Sequence, residues 1–402
     1  MEELGVEIEL YPLLQVRAGI AHPEAVRWIE RAHCLPFLSL GILRAQWHFI
    51  RSDASAYFKV WAEVLRGTWG SINFFLGAIA IFPKAVRFAY EMSNQKIAHV
   101  HAQFANHPAV AALIIHRLTG IPYSFTARGT DIQIERRMLK RKIEAAEFAI
   151  AVSAFNKKIM VDESGPDARG KVHVIYGGVD VDRLSPAPRT RPAGPFRILS
   201  VARFEEVKGH AYLVEACQLL RERGVAFECR LIGEGPLFST VEQLIARAGL
   251  CQEVRLLGPR TYPEVIHELR QADVVALPTT PTASGKREGI PNVLKEAMAC
   301  GLPVVATSVG GIPELVDHNK TGILVPPMSA IALADALQRL GDDPILRRQL
   351  GQSGREKVVR DFNIRVSTTN RAKLFLRNAG ECFLSLECDE QSKPQVITQH
   401  SV

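Results

Sequence analysis

Short apolar runs alternate with amphipathic helical stretches through the whole second half of the chain. Six runs, FRILSVARF, FECRLIGEGP, VRLLG, DVVALP, LPVVAT and GILVP, are separated by five segments of helical periodicity. Consecutive parallel strands need a crossover connection, usually a helix, so this alternation predicts a parallel sheet with helices on both faces. Sheets of this kind bind ligands at the carboxyl ends of their strands. The loops that follow these runs are therefore the first candidates for a functional site.

The first half repeats this pattern more loosely. Strands are predicted in VEIELYPL, IAHVHAQFA, IPYSFTARGTD, FAIAVS and KVHVIYGGVD, and PAVAALIIHRLTG predicts a helix that Gly120 closes. The four prolines of SPAPRTRPAGP indicate a stiff linker. We therefore expect an α/β protein with two Rossmann-like domains. The predicted division is a first domain over 1–185, a linker over 186–195, a second domain over 196–365, a terminal helix over 366–380 and a flexible tail over 381–402.

The start of the chain departs from the usual pattern. A doubly wound domain ordinarily opens with a strand followed by a glycine turn. This chain opens in MEELG, which resembles the tail of a helix, and no such turn precedes the first predicted strand. We therefore expect the first domain to lack its opening strand.

Cysteine usage and the apolar segments bear on the compartment. The seven cysteines are scattered and form no C-x-x-C pair, which argues against a disulfide framework or a zinc site and favours a reducing compartment. MEELGVEIEL has neither the basic nor the apolar region of a signal peptide. The longest apolar run, Phe74 to Phe82, ends at Pro83 and is too short to span a bilayer. These features predict a cytoplasmic protein.

Positive charge is concentrated in the first half. The net charge is +7, and residues 1–195 hold 24 Lys and Arg against 18 Asp and Glu. This excess fits an anionic partner such as a phospholipid surface, a polyphosphate-linked substrate or nucleic acid, and it fits an ordinary solvated surface equally well. No nucleic-acid-binding motif accompanies the excess, so we expect no nucleic-acid partner.

Two segments are candidates for a membrane-facing surface. Residues 35–92 are rich in Phe, Trp, Leu and Arg, and RRMLKRK (136–142) is a basic cluster. Together they would either rest peripherally on the anionic inner face of a membrane or form amphipathic helices packed on the core. The second alternative is slightly favoured.

The segment VARFEEVKG places two cations beyond a predicted strand. Arg203 follows the strand, and Lys208 comes five residues later, just before a helix. Such a pair can hold a diphosphate and stabilise the charge that it gains as it leaves. Strand-end cations more often lie on a solvated rim, so this segment alone is a weak signal.

The segment KREGIPNVLKEAMACG predicts a loop followed by a helix. Pro291 suits the first turn of the helix and Gly301 its C-terminal cap. Glu288 precedes the helix and Glu296 lies inside it, so one carboxylate can reach a sugar hydroxyl and the other a ribose, although glutamates eight residues apart are common by chance. The first amides of a helix favour an anion. The amides concerned are those of Gly289, Ile290 and Asn292.

Glycine-containing turns follow three other strands. Gly310 and Gly311 allow close backbone approach, either to a ligand or simply within a tight turn. IGEGP, with Gly233, and LLGPR, with Gly258 and Arg260, lie on the same edge of the predicted sheet. Their backbones are candidates for the border of a nucleobase site.

The motifs of the second half occur in a fixed order. That order is V-A-R-F-x-x-x-K-G, L-I-G-x-G-P, L-x-G, A-D-V, E-G-x-P-N-V-L-x-E-A-M-A-C-G-x-P-V-V-A-T, G-G-x-P-E and G-x-L-V-P. It resembles the family-four (group 1) retaining glycosyltransferases of the GT-B architecture, and among them the colanic acid and exopolysaccharide transferases. The resemblance covers most of residues 97–365 and is densest in the second domain. Each motif is weak alone, whereas the ordered set is specific.

The resemblance implies roles for matching residues in the second domain. Arg203, Lys208 and Glu288 would be catalytic: the two cations would hold the donor diphosphate, and Glu288 would contact hydroxyls of the donor sugar. Glu296 would contact the nucleotide ribose. The full set of predicted donor-binding residues is Gly233, Arg260, Gly289, Ile290, Asn292, Val293, Glu296 and Arg128.

Two loops of the first domain match family loops that face the cleft. These are HAQFA, which begins with His101, and FTARGTD, which contains Arg128. Many relatives carry histidine where this chain has Arg128, which can donate hydrogen bonds but cannot act as a neutral imidazole. His101, expected at the end of a strand, fits a structural histidine at least as well as a substrate contact.

The resemblance also implies a reaction. In front-side displacement, the acceptor hydroxyl attacks the anomeric carbon from the face that the diphosphate leaves, so configuration is retained. The sequence offers no clear nucleophile–base arrangement, so we expect electrostatic stabilisation to dominate. No Asp-x-Asp motif lies in a donor loop, so we expect neither a metal nor a cofactor. The expected substrates are a UDP- or GDP-sugar donor and a saccharide or lipid-linked acceptor, with domain closure about the linker assembling the site.

Other classes stay open at this point. A catalytically inactive nucleotide-sugar-binding or scaffold protein is favoured by Arg128 and by the expected lack of an opening strand. A dehydrogenase or epimerase would need G-x-G-x-x-G after the first strand, and the sequence contains none there. A GT-B-like phosphorylase would need a pyridoxal-binding lysine, which no motif identifies.

Overall fold

Two parallel sheets organise the molecule, one of four strands and one of six. The computed structural model describes residues 2–14, 23–36, 39–186 and 194–378. Most of the predicted linker (187–193) and the whole predicted tail (381–402) lie outside the described residues. The two sheets and their covering helices confirm the predicted α/β class with two Rossmann-like units.

The first sheet is built from short strands that all run parallel. They are β1 (Val100–Gln103), β2 (Tyr123–Ala127), β3 (Phe148–Ala151) and β4 (Val172–Val174). Each strand pairs with the next one along the chain, in the order β1-β2-β3-β4. All four lie within segments predicted as strands.

The prediction of a strand over VEIELYPL is wrong. Residues 6–12 form neither helix nor strand. Side chains hold this segment instead: the Tyr11 ring stacks on His33 at 4.3 Å and meets the edge of Phe88 at 5.2 Å. The Lys84 ammonium donates to the Leu13 carbonyl at 2.7 Å. The segment therefore covers a helix with its side chains rather than pairing with a sheet.

The helices of the first domain include two long ones that precede the sheet. The helices are α1 (Pro23–Arg31), α2 (Leu40–Thr68), α3 (Ile72–Asn94), α4 (His107–Thr119), α5 (Thr130–Gln133), α6 (Leu139–Ala145), α7 (Ala154–Ser164) and α8 (Ala168–Lys171). Helix α2 bends at Asp53, whose carboxylate accepts the Ala56 amide at 2.9 Å and so caps its second half. Gly120 closes α4 in the left-handed conformation, as predicted.

Helices α2 and α3 pack on each other and on α4 as amphipathic core helices, which is the favoured alternative for residues 35–92. Helix α3 continues through Pro83, so its apolar stretch is longer than the run to Phe82 suggested. By length and composition α3 is able to cross a bilayer, and half of its apolar window is buried inside the protein. Burial of this kind is also found in the core helices of soluble proteins.

The basic cluster at 136–142 is less cationic at the surface than its sequence suggests. Arg136 pairs with Glu163 at 3.4 Å. The Lys142 side chain is buried, donates to the Ala105 carbonyl and lies 5.5 Å from the Phe74 ring centre. Burial lowers the pKa of Lys142 to about 7. Lys142 is therefore a core residue and not part of a surface patch.

The second sheet contains all six predicted strands, and all run parallel. They are β5 (Phe196–Val201), β6 (Phe227–Ile232), β7 (Val254–Gly258), β8 (Val274–Leu277), β9 (Val304–Thr307) and β10 (Ile323–Val325). Their order is β10-β9-β8-β5-β6-β7. Counted from β5, this is the 3-2-1-4-5-6 order of dinucleotide-binding sheets, read from the other edge. Its topological switch point lies between β5 and β8.

Helices cover both faces of this sheet, and a long C-terminal pair follows, of which the last helix packs on the first sheet. They are α9 (His210–Glu222), α10 (Phe238–Arg247), α11 (Tyr262–Gln271), α12 (Asn292–Ala299), α13 (Ile312–Leu315), α14 (Ala330–Asp342), α15 (Pro344–Asp361) and α16 (Ile364–Asn378). One core lies around β5, β6 and α14, and another lies between β8, β9 and α12.

The chain returns to the first domain just before α16. The Val179 amide donates to the Phe362 carbonyl at 2.8 Å, and the Ile364 amide donates to the Val179 carbonyl at 3.0 Å. On α16, Phe375 then meets Phe148 of the first sheet at 5.4 Å between ring centres. Two crossings therefore connect the domains: one at about residue 178, because Val179, Val181 and Leu184 already lie in a core of the second domain, and one at residues 362–364.

Candidate functional site

The loops after β5 and β8 meet at the switch point of the second sheet. The Thr280 amide donates to the Val207 carbonyl at 3.0 Å. Gly209 has φ +67°, and a Cβ there would lie 1.8 Å from the Pro278 carbonyl oxygen. Only glycine fits this conformation and this approach. In parallel sheets of this order, the crevice at the switch point is the usual place for a ligand.

Lys208 and Glu288 form the centre of this crevice. The Lys208 Nζ lies 2.6 Å from Glu288 Oε2, and the two side chains are only 19% and 18% exposed. Glu205 lies beside this pair, 3.2 Å from Arg203 and 2.8 Å from Lys286. The hydrogen bond from Lys286 lowers the pKa of Glu205, and the charges of Arg203 and Lys208 add to that effect. Three cations and two carboxylates thus converge on one edge of the sheet.

This arrangement brings together the predicted catalytic residues. Arg203 lies at the rim, with its side chain 70% exposed, whereas Lys208 and Glu288 lie deeper. Sequence reasoning missed Glu205 and Lys286. Glu205 lies in the motif VARFEEVKG and Lys286 in KREG, but the sequence alone does not show that the two side chains pair.

The glycine pair after β9 supports the loop that carries Glu288. Gly310 has φ +59°, and a Cβ on it would lie 1.8 Å from the Glu288 carbonyl oxygen. A Cβ on Gly311 would lie 2.9 Å from the Ile290 side chain. Both glycines therefore allow the close backbone approach that was predicted. The groups that approach them belong to residues 288–290.

Helix α12 begins next to this loop. Pro291 is its N-cap residue, one position before the predicted first turn, and Gly301 follows its end at φ +72°. The amides of Asn292 and Val293 occupy the first two helical positions, which have no intrahelical partner. Glu288 lies in the loop and Glu296 in the helix, which agrees with the sequence-based placement.

Inside α12, Glu296 and Lys295 have shifted protonation equilibria. Burial raises the pKa of Glu296, and the Lys295 charge opposes that shift. Burial lowers the pKa of Lys295 to about 8. Its ammonium donates to the Gly177 carbonyl of the first domain at 2.6 Å. Lys295, which sequence reasoning did not single out, therefore connects the helix of the candidate donor site to the opposite domain.

Arg128 stands across the cleft from the Glu288 loop. A Cβ on Gly289 would lie 3.5 Å from the Arg128 carbonyl oxygen, so the two backbones face each other. The Arg128 guanidinium donates to Gln103 Oε1 at 3.0 Å and lies 5.6 Å from the Phe104 ring centre. The structure thus brings the Arg128 loop to the cleft while the side chain extends toward the loop after β1.

A buried carboxylate shapes these first-domain loops. Asp131 accepts the amide hydrogens of Ala105 at 2.7 Å, Gly129 at 2.6 Å and Arg128 at 3.1 Å. It therefore ties the loop after β1 to the loop after β2. Asp131 belongs to the quoted segment FTARGTD, but no role was predicted for it.

His101 is placed within the first sheet. It is the second residue of β1, not the last, and its ring is hydrogen-bonded to Ser124 Oγ at 2.7 Å and Thr126 Oγ1 at 2.9 Å. Burial lowers its pKa to about 3, with smaller contributions from neighbouring positive charges. Phe375 packs against the ring at 5.1 Å. These contacts are those expected of a structural histidine rather than of a substrate contact.

Gly233 and Arg260 lie on the other side of β5. Gly233 has φ +142°, and a Cβ there would lie 2.0 Å from the Ala202 carbonyl oxygen, so its turn packs against the loop after β5. Arg260 follows the edge strand β7, two strands from β5, and its guanidinium lies 3.9 Å from Glu264. Arg260 is therefore placed away from the Lys208–Glu288 pair.

Within the described part of the chain, no three His, Cys, Asp or Glu side chains are grouped as ligands for a metal ion. The sequence-based expectation of a metal-independent reaction stays a prediction.

Comparison with known proteins places this geometry in a family. Residues 183–357 match the family model "Glycosyl transferases group 1", and residues 21–183 match "Glycosyltransferase Family 4". The putative colanic acid biosynthesis glycosyltransferase WcaL of Escherichia coli is 44% identical over 212 residues, which is 51% of each chain. The amylovoran biosynthesis glycosyltransferase AmsK of Erwinia amylovora is 38% identical over 52% of this chain and 51% of that protein. The chain thus spans about half the length of these curated relatives.

Solved structures share the fold at low sequence identity. A glycosyltransferase from Rickettsia africae superposes with a TM-score of 0.66 at 22% identity, over 76% of this chain and 83% of that one. Anabaena HepE in complex with UDP and glucose superposes with a TM-score of 0.63 at 21% identity, over 73% and 81%. The two facing parallel sheets confirm the predicted GT-B architecture. Adjacent family models therefore span residues 21–357, with the first domain matching glycosyltransferase family four and the second matching the group 1 glycosyl transferases.

Proposed function

We propose that this chain is a retaining glycosyltransferase that moves a sugar from a UDP- or GDP-sugar to a saccharide or lipid-linked acceptor. The observation that carries the proposal is the Lys208–Glu288 pair at the switch point, next to the start of α12. The names of the relatives WcaL and AmsK favour a role in polysaccharide or cell-envelope glycan synthesis. The solved structure of HepE with UDP and glucose supports a nucleotide donor for this fold.

The donor diphosphate is proposed to bind between Lys208 and the start of α12. The Lys208 ammonium has three donors, and its bond to Glu288 uses one of them, so two stay available for phosphate oxygens. Arg203 at the rim adds a second cation. The free amides of Asn292 and Val293 favour an anion at the helix start. Together these groups stabilise the charge that develops on the leaving diphosphate.

The carboxylates are proposed to hold hydroxyl groups. Glu288, next to the diphosphate position, accepts hydrogen bonds from the donor sugar, and Glu296 accepts one from the ribose. Both roles need an acceptor of hydrogen bonds rather than a covalent nucleophile. The acceptor hydroxyl attacks the anomeric carbon from the face that the diphosphate leaves, the bond to the diphosphate breaks, and a leaving phosphate oxygen takes the hydroxyl proton, which gives retention without a metal.

We also propose a cytoplasmic location with peripheral contact to an anionic membrane through α2 and α3. Trp69, Ile72 and Leu76, at the turn between these helices, are 71%, 78% and 58% exposed. Trp69 lies beside Arg137, whose guanidinium donates to its carbonyl at 2.7 Å. An apolar tip with a nearby cation suits a lipid interface. Sedimentation with anionic and neutral vesicles tests this, because Trp69→Ser should reduce binding to the anionic vesicles only if the turn inserts.

The transfer itself is tested with a panel of UDP- and GDP-sugars and simple saccharide acceptors. Nucleoside diphosphate release gives the rate, and proton NMR gives the anomeric configuration of the product. We expect one donor to be used with retention, and Glu288→Gln to lower the rate by about 100-fold or more. Glu222→Gln, an exposed change on α9, is the matched control. An inverted product would contradict the proposal, and diphosphate binding without turnover of any donor would favour the inactive nucleotide-sugar-binding alternative.

A further inference from the structure

Glu314 connects the two domains through its carboxylate. It lies on α13, directly after the Gly310–Gly311 turn, in the motif G-G-x-P-E. Its Oε2 accepts the Ala154 amide hydrogen at 2.7 Å, and its Oε1 accepts the Phe155 amide hydrogen at 2.8 Å. Both amides belong to the first turn of α7, in the opposite domain. None of the roles described above uses this carboxylate.

The start of α7 depends on this contact from the other domain. The first amides of a helix have no partner within the helix. Ser153 supplies one cap, since its Oγ accepts the Asn156 amide hydrogen at 3.0 Å. Glu314 supplies the other two bonds. A carboxylate at a helix N-terminus is favoured by the helix dipole, and hydrogen bonds to a charged acceptor are stronger than neutral ones. Capping of α7 is therefore divided between the two domains.

The charge of Glu314 also acts on Tyr176, close to the crossing between the domains. Burial, together with this charge, raises the pKa of Tyr176 to about 12. The Tyr176 ring lies 4.8 Å from that of Phe362. Phe362 marks the point where the chain crosses back to the first domain. Glu314 thus lies close to this crossing, and both of its carboxylate oxygens accept hydrogen bonds from amides of the first domain.

The same short segment touches the candidate donor loop. Gly310 and Gly311 lie against residues 288–290, and Glu314 follows them by one turn. The position of α7 is therefore connected through five residues of backbone to the loop that carries Glu288. If the domains moved apart, the Ala154 and Phe155 amides would lose their acceptor at the same time.

We infer that Glu314 is a positioning residue that holds the two domains in the closed arrangement required for transfer, without touching the donor. The inference rests on the proposed function for its kinetic consequence only. The donor phosphates bind to the second domain alone, so loss of Glu314 affects closure and turnover but leaves nucleotide binding nearly intact.

The test compares Glu314→Ala and Glu314→Gln with the control Glu222→Ala. Hydrogen exchange of the Ala154 and Phe155 amides is measured by NMR, the radius of gyration by small-angle scattering, and kcat and the diphosphate Kd by kinetics and calorimetry. Glu314→Ala should speed exchange of both amides by about 10-fold or more, enlarge the molecule and lower kcat by a similar factor, with Kd within about 3-fold of wild type. Glu314→Gln, which keeps one oxygen acceptor, should give values between those of wild type and Glu314→Ala.

The outcomes separate this inference from the proposed function. Unchanged exchange and radius in Glu314→Ala would overturn it, and so would a large loss of diphosphate affinity, since that would make Glu314 part of the donor site. If the wild-type chain transfers no sugar, the proposed function fails, while the exchange and scattering measurements still decide whether Glu314 holds the domains together. Circular dichroism confirms that each variant is folded.

Discussion

Replacing Gly310 by alanine should damage both stability and the donor site. Gly310 has φ +59°, a conformation that costs a residue with a Cβ about 1–2 kcal/mol. The added Cβ would also lie 1.8 Å from the Glu288 carbonyl oxygen. Ordinary contact begins near 3.4 Å, so the Glu288 loop would have to move by about 1.5 Å. No side-chain rotation relieves this contact, because the neighbouring atom belongs to the backbone.

A second glycine separates the two costs. Gly224 has φ +75°, and a Cβ there would meet nothing within 4 Å. Gly224→Ala therefore carries the conformational cost alone, and we expect it to lower the free energy of unfolding by about 1 kcal/mol. For Gly310→Ala we expect a loss of about 3 kcal/mol or more, because overpacking adds to the backbone strain. Urea denaturation of the two variants measures the difference.

The functional consequence follows from the same displacement. A shift of about 1 Å in a positioned group is enough to lower a rate by about 100-fold. We expect Gly310→Ala to weaken nucleoside diphosphate binding by about 10-fold or more at temperatures where it is folded, and Gly224→Ala to bind like wild type. Equal stability and equal binding in the two variants would refute the argument that the Gly310 turn supports the Glu288 loop.

Three further predictions follow from other parts of the structure. Burial lowers the pKa of Lys295 from 10.5 to about 8, so the unfolded chain binds more protons than the folded chain between these pH values. The free energy of unfolding of wild type, measured by urea denaturation, should therefore rise by up to about 3 kcal/mol relative to Lys295→Met between about pH 8 and about pH 10.5. A difference that does not change with pH would contradict this. In a double-mutant cycle, Lys208→Ala and Glu288→Gln should each lower the free energy of unfolding by about 1–3 kcal/mol, with a coupling energy of about 1 kcal/mol. Strictly additive losses would show that the 2.6 Å pair contributes nothing to stability. Phe375→Ala should lower the free energy of unfolding by about 1–3 kcal/mol, because α16 loses its contact with Phe148, and should leave the diphosphate affinity unchanged. Weaker diphosphate binding would show that α16 acts on the donor site.

The second sheet was predictable because its strands are buried on both faces. A strand such as VRLLG or DVVALP then appears as a continuous apolar run, and the helices between the runs fix the parallel direction. The loop and helix around Glu288 and Glu296 were predictable for a similar reason, since Pro291 and Gly301 mark the two ends of α12. Residues within or next to each element were sufficient for these predictions.

Other features depend on contacts that no local pattern records. VEIELYPL alternates like a strand, but Tyr11 finds its partners on His33 and Phe88 instead of a neighbouring strand. Lys142 lies in a basic run and is nevertheless buried, because its ammonium reaches the Ala105 carbonyl while its stem packs with apolar neighbours. Glu314 contacts amides 159 and 160 residues away. Only the fold brings such groups together.

Binding of nucleoside diphosphates to the wild-type chain decides whether the Lys208–Glu288 pair forms a donor site. Calorimetry with UDP, GDP and ADP is compared for wild type, Lys208→Ala and the control Lys158→Ala, which removes an exposed ion pair on α7. We expect one diphosphate to bind and Lys208→Ala to weaken its binding by about 10- to 100-fold, the loss expected for a hydrogen bond to a charged group. Wild type that binds none of the three, or Lys208→Ala that binds as tightly as wild type, would contradict a donor site at the Lys208–Glu288 pair.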